Sequence, residues 1–325
     1  MTFEKILCSC VLATMAACIA VSATAQEAYP SKPLRMIVPT AAGASNDVTA
    51  RVIAEGLARE LKQPVVVENR IGASGTIGAD FVAKASKDGY TLLLGTGSTH
   101  VVAPAMLKGV PYDPIQDFVP LSFVGAAPFV VFVRASLPVK NLQELVALAK
   151  SKPGELSFGT TGPAAVYELG ALTLEAQAGI KFNHVPYKGF APMVLDVMGD
   201  RVDVGVGPID NSIKSDRVRV IAVVGKERVD SLPGVPSAAE QGFPDFTIPA
   251  WAGIWTTAGT PQAVVDRLVV ALRTVQASKE VKERIAKTGI NPEGKDGNFL
   301  RQLMAQELAA ILTMMKNAKI ERQAL

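Results

Sequence analysis

Leu34-Arg35-Met36-Ile37-Val38-Pro39-Thr40-Ala41-Ala42-Gly43-Ala44-Ser45-Asn46-Asp47 reads as a strand, a loop of small residues and the start of a helix. The first five residues form a short apolar run of the kind a buried strand needs. Beyond Asp47, Ile53, Leu57 and Leu61 recur at i+4 and lay one apolar stripe along a helix. The unit then repeats. Val65-Val66-Val67 is the next strand, Ile77 to Ala85 a helix, and Tyr90 to Leu94 a strand. The alternation returns with helices at Leu142–Lys150 and Ala164–Ala178. Strands accompany them near Leu156–Phe158, Asn183–Val185, Val202–Val206 and Val218–Val224. Such alternation implies βαβ crossovers, mostly parallel sheets and ligand sites at the carboxyl ends of the strands.

Two longer β-rich stretches, Leu121 to Val133 and Phe246 to Thr256, each join two such blocks. They suit the crossings of a two-lobed α/β protein with a discontinuous first lobe. The expected lobes are residues 26–127 plus 249–325, and residues 128–248. Each lobe is expected to be a mostly parallel sheet flanked by helices, with the two crossing strands as a hinge. The tail keeps one apolar face through Leu300, Met304, Leu308, Ile311 and Met315, so a helix packed back on the first lobe is expected.

The chain has 325 residues, with 33 Lys+Arg against 30 Asp+Glu and a formal charge of +3. Hydrophobic residues at 49% and charged residues at 19% exclude an intrinsically disordered chain. No basic run concentrates charge for nucleic acid. Residues 1–25 read as an export signal: Lys5, an apolar Ile6–Ala20, and Ala23-Thr24-Ala25 before Gln26. Met15-Ala16-Ala17-Cys18 leaves a lipid-anchored form at Cys18 as the second option. Cys8, Cys10 and Cys18 all fall inside the signal, so the mature 300 residues (325 − 25) carry none. That excludes disulfides, thiolate metal sites and a cysteine nucleophile. No cofactor is expected.

Four strand–helix junctions carry small and hydroxyl residues: Pro39–Asp47, Gly72–Gly78, Gly95–His100 and Gly159–Pro163. Helix starts of this kind present amide donors and favour an anion. None completes G-x-G-x-x-G or a P-loop. Only His100 and His184 supply imidazoles, and neither H-E-x-x-H nor G-x-S-x-G occurs, so no enzyme is expected. His184 reads as a structural residue at a strand end. His100 either donates to a ligand or bonds a nearby carbonyl. Trp251 and Trp255 share one face of a strand, where packing is the default reading.

Several ordered segments carry a family resemblance. They are Tyr29-Pro30-Ser31-Lys32-Pro33, Val65-Val66-Val67-Glu68-Asn69-Arg70, Lys87-Asp88-Gly89-Tyr90-Thr91-Leu92-Leu93-Leu94-Gly95-Thr96, Pro111-Tyr112-Asp113-Pro114, His184-Val185-Pro186-Tyr187-Lys188-Gly189 and Ala258-Gly259-Thr260-Pro261. The chain resembles the solute receptors of tripartite tricarboxylate transporters, the Bug receptors. The resemblance implies a type II periplasmic-binding-protein fold in the periplasm. It also implies two lobes closing on a small organic carboxylate through backbone amides and bridging waters. The implied partners are membrane transporter subunits, and the implied state is a monomer. A sensing subunit, or an enzyme on the same scaffold, is the alternative reading. By position, the implied ligand residues are Thr40, Ser45, Asn46, Asp47, Ala73, Ser74, Gly75, Thr96, Ser98, Thr99, His100, Thr160, Thr161, Tyr187, Gly207 and Pro208.

The chain also departs from the family pattern. Thr40 stands where an aromatic residue is usual, and Ala42 and Ala44 where Pro and Gly are. Gly162 is followed by Pro163-Ala164-Ala165-Val166-Tyr167-Glu168 in place of Asn, Gly, Ser and His, and Asp210-Asn211 follow Gly207-Pro208 at a displaced position. Glu168 would repel an anion if it faced the cleft. These departures point to a ligand with fewer carboxylates than citrate and an apolar or aromatic body near Ala164, Ala165 and Val166.

Overall fold

The computed structural model describes residues 29–324 apart from 163 and 210. The expected export signal lies outside the described residues. Strand β1 (Leu34–Val38) pairs in parallel with β2 (Val65–Asn69) and β3 (Thr91–Thr96), connected through helices α1 (Ser45–Leu61) and α2 (Thr76–Ala83). A π-helical turn at Ser98–Val102 leads into α3 (Ala103–Met106) and the short β4 (Leu107–Lys108). Strand β5 (Phe118–Ala126) then hands the chain to β6 (Phe129–Arg134), which lies in a second sheet.

There the chain forms α4 (Leu142–Ser151), β7 (Ser157–Thr160), α5 (Val166–Ala178), β8 (Asn183–Pro186), α6 (Phe190–Met198), β9 (Val204–Pro208) and β10 (Val218–Val223). It returns through β11 (Trp251–Thr257), α7 (Gln262–Ala277), α8 (Lys279–Ala286), β12 (Asn291–Asp296), α9 (Gly297–Asn317) and β13 (Gln323–Ala324). The sheet orders are β12-β5-β11-β3-β1-β2 and β10-β6-β9-β7-β8, with β13 pairing β4.

The two-lobed α/β class stands, but neither sheet is mostly parallel. Strands β5, β11 and β12 pair antiparallel in the first sheet, and β6 is antiparallel to both β9 and β10 in the second. The reason is topological. Strands β6 and β11 enter their sheets directly from the other sheet without a βα crossover, so nothing forces them to run parallel with the strands they join.

Leu34, Met36, Ile37 and Val38 are all fully buried, because β1 is covered on both faces. On one face Ile53, Leu57 and Leu61 of α1 meet Leu268, Leu272 and Val275 of α7. Truncating one of these leucines to alanine would cost about 2–5 kcal/mol. On the other face Leu300, Met304, Ile311 and Met315 of α9 join a core that continues through Trp255 and Phe123 to Phe129 and Phe158. That continuity spans the crossings. The two crossing segments also touch directly, the Ala127 N–H donating to the Ala250 carbonyl at 2.7 Å.

Candidate functional site

Because β1, β2 and β3 run parallel, the loops after them meet at one edge of the first sheet. Facing that edge are the loop after β7, the start of α6 and the end of β9. Between them lies a cleft of about 580 Å³. Its first-lobe wall contains Pro39, Thr40, Ala41, Ser45 and Asn46, the turn Ile71–Gly75, and Thr96, Ser98 and Thr99. Its second-lobe wall contains Phe129, Thr161, Ala165, Val166, Tyr167, Lys188, Gly189, Phe190 and Pro208. Ala127, Pro249, Ala250 and Trp251 line it along the crossings, beside Ile290.

Helix α1 starts with Ala44 as its N-cap, and Asp47, three residues in, reaches back. Its carboxylate accepts from Gly43 N at 2.9 Å, from Arg51 Nε and Nη2 at 3.0 Å each, and from Asn69 Nδ2 at 2.8 Å. Asn69 also donates to the Thr40 carbonyl at 3.0 Å, so one carboxylate and one amide fix the whole loop. Burial pushes the Asp47 pKa up, but these donors outweigh it and hold it below the usual value. Asp47 is 2% exposed and does not line the cleft. What the helix start presents instead is its first-turn amides and the Asn46 side chain. The Ser45 hydroxyl donates to the Thr288 carbonyl at 2.5 Å. Thr40 Oγ1 is buried without a protein partner, which leaves a polar atom to be satisfied at the cleft wall.

The turn at 73–75 holds Ala73 and Ser74 at φ of 46° and 55°. Left-handed backbone at two non-glycine residues costs about 1 kcal/mol each, and such strain concentrates where a loop must face a ligand. The π turn at 98–102 separates its neighbours sharply. Thr99 lines the cleft, and its hydroxyl accepts from Thr96 N at 3.0 Å. His100 points into the core, fully buried, stacked on Trp255 with ring centroids 4.0 Å apart and bonded to Thr99 Oγ1 through Nδ1 at 2.8 Å. Burial pushes its pKa down to about 3, so the ring is neutral. The ligand-donor reading of His100 is thereby corrected; the imidazole is a core residue that braces Thr99 from behind.

Other expected residues also sit elsewhere. Thr160 is buried and its carbonyl accepts from Tyr187 N, while the Tyr187 hydroxyl donates to Asp196 at 2.7 Å. Neither lines the cleft. Gly207 lies beneath the Phe190 ring, where a Cβ would meet Phe190 Cε2 at 2.0 Å. The close approach that demands glycine there is to an aromatic ring, and Phe190 is the residue presented. Glu168 is turned away from the cleft. It accepts from Ala164 N at 2.7 Å and from Gln323 Nε2 at 3.3 Å. His184 pairs with Glu175 at 3.1 Å, a structural contact. Phe129, Tyr167 and Phe190, which the sequence reading passed over, form a connected aromatic wall. Phe129 and Tyr167 have ring centroids 5.7 Å apart, and Tyr167 and Phe190 6.0 Å.

Among the described residues no helix is long and apolar enough to span a membrane, and no cluster of three or more His, Cys, Asp or Glu could hold a metal. Two α/β lobes joined by paired crossing strands, with helix starts turned into the cleft between them, define a solute receptor of the periplasmic-binding-protein class. The tripartite tricarboxylate transporter family receptor profile matches residues 49–320, and the chain belongs to that family, whose members are periplasmic solute-binding receptors. It is 35% identical over 286 residues to BugT of Bordetella pertussis, covering 87% of this chain and 88% of that one. It is similar to the solved periplasmic binding protein BugD (34% identity, TM-score 0.78, 91% of this chain and all of that one). It is also similar to Rpa4515 of R. palustris, solved with adipate (29% identity, TM-score 0.80, again 91% of this chain and all of that one).

Proposed function

We propose that this receptor captures a small organic carboxylate in the inter-lobe cleft and presents it to the membrane subunits of a tripartite tricarboxylate-type transporter. The observation that carries the reading is the first-lobe wall. There the start of α1, the strained 73–75 turn and the π turn at Ser98–Thr99 converge with amide and hydroxyl donors, while no described carboxylate lines the cleft. Donors without acceptor carboxylates favour an anion. The adipate held by the similar Rpa4515 supports the same chemistry.

In this reading the lobes are residues 26–127 plus 249–325 and residues 128–248. They close about the Ala127 and Ala250 crossings. Residues 1–25 are removed on export, and the receptor acts as a monomer without cofactor.

The test is thermal unfolding of the exported protein against organic acids, with the matching amines and amides as controls. An acid at 100 times its Kd adds about 2.7 kcal/mol, visible as a shift of a few degrees. Shifts from amines and none from acids would overturn the reading.

A further inference from the structure

The two walls of the cleft differ in kind, and the difference specifies the ligand beyond its being a carboxylate. The first-lobe wall offers Thr40, Asn46, Ser74, Ser98 and Thr99. The opposite wall offers Phe129, Val166, Tyr167 and Phe190, extended by Pro208, with Thr161 and Lys188 as its polar side chains. Tyr167 and Phe190 stack within 25° of parallel at 6.0 Å between centroids, so each ring holds the other in place at the wall. Ile71, 60% exposed at the first-lobe margin, adds apolar area at the same mouth.

Charge points the same way. Lys188 is the one charged side chain among the described lining residues. Neutral donors on the first-lobe wall and a single exposed ammonium facing them across the cleft can balance about one carboxylate. Enclosing the second and third carboxylates of a citrate-like acid against Phe129, Val166 and Tyr167 would desolvate charge without a partner. A planar apolar body against that wall instead gains area burial and ring–ring contact.

We infer that the ligand is a monocarboxylic acid with an aromatic or similarly planar apolar body. It is bound carboxylate-first against the first-lobe loops, with its ring on the Phe129–Tyr167–Phe190 wall. This inference rests on the carboxylate-receptor reading above and narrows it.

The experiment is calorimetry on the exported protein with benzoate, cyclohexanecarboxylate, benzamide, succinate, adipate and citrate. Benzoate is expected to bind at least ten-fold tighter than succinate or citrate, and benzamide not measurably. Tyr167→Ala and Phe190→Ala should each weaken benzoate by ten-fold or more and change adipate by less than two-fold. Tyr167→Leu, which keeps a bulky apolar residue in the wall, serves if either truncation unfolds the protein, as read by its melting temperature. It should weaken benzoate more than cyclohexanecarboxylate. Tightest binding by succinate, adipate or citrate would overturn this inference and leave the receptor reading intact. Failure of every acid while benzamide binds would overturn both.

Discussion

Helix α1 begins Ser45-Asn46-Asp47 and helix α5 begins Val166-Tyr167-Glu168, and the two starts face one cleft from opposite lobes. Both have an alanine N-cap in extended backbone, Ala44 and Ala165, with no side-chain cap. Both place an acid three residues into the helix that reaches back to an amide of the preceding loop. Asp47 takes Gly43 N–H and Glu168 takes Ala164 N–H. The acid in each case satisfies loop backbone and complements the helix dipole, as the reaching-back half of a capping box does. What differs is the pair of cleft-lining residues just before it. Polar Ser45-Asn46 stands against apolar Val166-Tyr167. The loop scaffold and the ligand chemistry are therefore set by different residues of the same three.

The largest expected effect tests the scaffold half of that statement. Asp47 is 2% exposed and holds four donors, whereas Glu168 is half-buried and holds two. Asp47→Ala should destabilise the chain by about 2 kcal/mol, because Gly43 N–H and Asn69 lose their acceptor while the half-exposed Arg51 turns to water. Glu168→Ala should cost about 1 kcal/mol. Urea unfolding of both variants measures the contrast, and equal losses would break it. The pH dependence has a defined sign. Asp47 is held below its ordinary value, so its contribution is present above the usual carboxylate range and fades as pH falls through the folded pKa. Asp47→Asn should flatten that part of the acid limb.

A second test concerns the crossing between the two walls. Trp251 lines the cleft, and its indole N–H donates to Glu307 at 2.7 Å. Glu307 belongs to α9 and borders a separate groove shared with Lys226 and Asp245. Burial raises its pKa from 4.5 to about 7, against the opposing pull of the indole N–H. The folded chain thus keeps a proton that the unfolded chain releases. Stability from this group is fully present below the ordinary carboxylate pKa and is lost as pH rises through about 7. The loss should be about 2 kcal/mol between pH 5 and 8, allowing for the solvent that still reaches the group. Glu307→Gln should remove that slope. A wild-type protein equally stable at both pH values would show Glu307 ionised in the folded state.

Much of the fold was legible because period and burial agree. Strand β1 and the Ile53, Leu57, Leu61 stripe are read directly, and four of the five tail positions are buried, with Leu308 packed against the same core. Three helices, α6, α7 and α8, lie outside the alternation read from the sequence. In α6, Pro192 looks like a stop, yet a proline in the first turn is tolerated because its N–H has no helical partner there. In α7, Val265, Leu268, Leu272 and Val275 do carry the helical spacing, and the segment was passed over beside its Gly-Thr-Pro approach.

The candidate site was legible as loops but not as side chains. Thr99 and His100 are neighbours in sequence and opposite in direction, a separation made by a π turn that no residue pattern announces. By pattern Asp47 caps the helix and by resemblance it lines the cleft, and the helix start at Ser45 assigns it to the loop. The aromatic wall is invisible in sequence because Phe129, Tyr167 and Phe190 come from three distant elements.

The smallest effects come from exchanging residues of the two cleft-lining pairs, and they test the chemistry half of the comparison. Asn46→Val removes a polar group at the first-lobe wall without touching Asp47 or its donors. Affinity for any bound acid should fall about ten-fold, the equivalent of about 1.4 kcal/mol. Stability should stay within about 0.5 kcal/mol, as for other partly exposed positions away from a cap or core. Val166→Asn places an amide on the apolar wall at the matching helix position. Its effect on a ring-bearing acid should be smaller, about three- to five-fold, because Tyr167 and Phe190 still cover most of the ring. For a short dicarboxylate the sign should reverse, since the new amide offers the second carboxylate a donor. Calorimetry with one acid of each kind on both variants gives four affinities. If Val166→Asn weakened both acids alike, position 166 would be acting through the α5 start rather than through the ligand. The two helix starts would then share their chemistry as well as their scaffold.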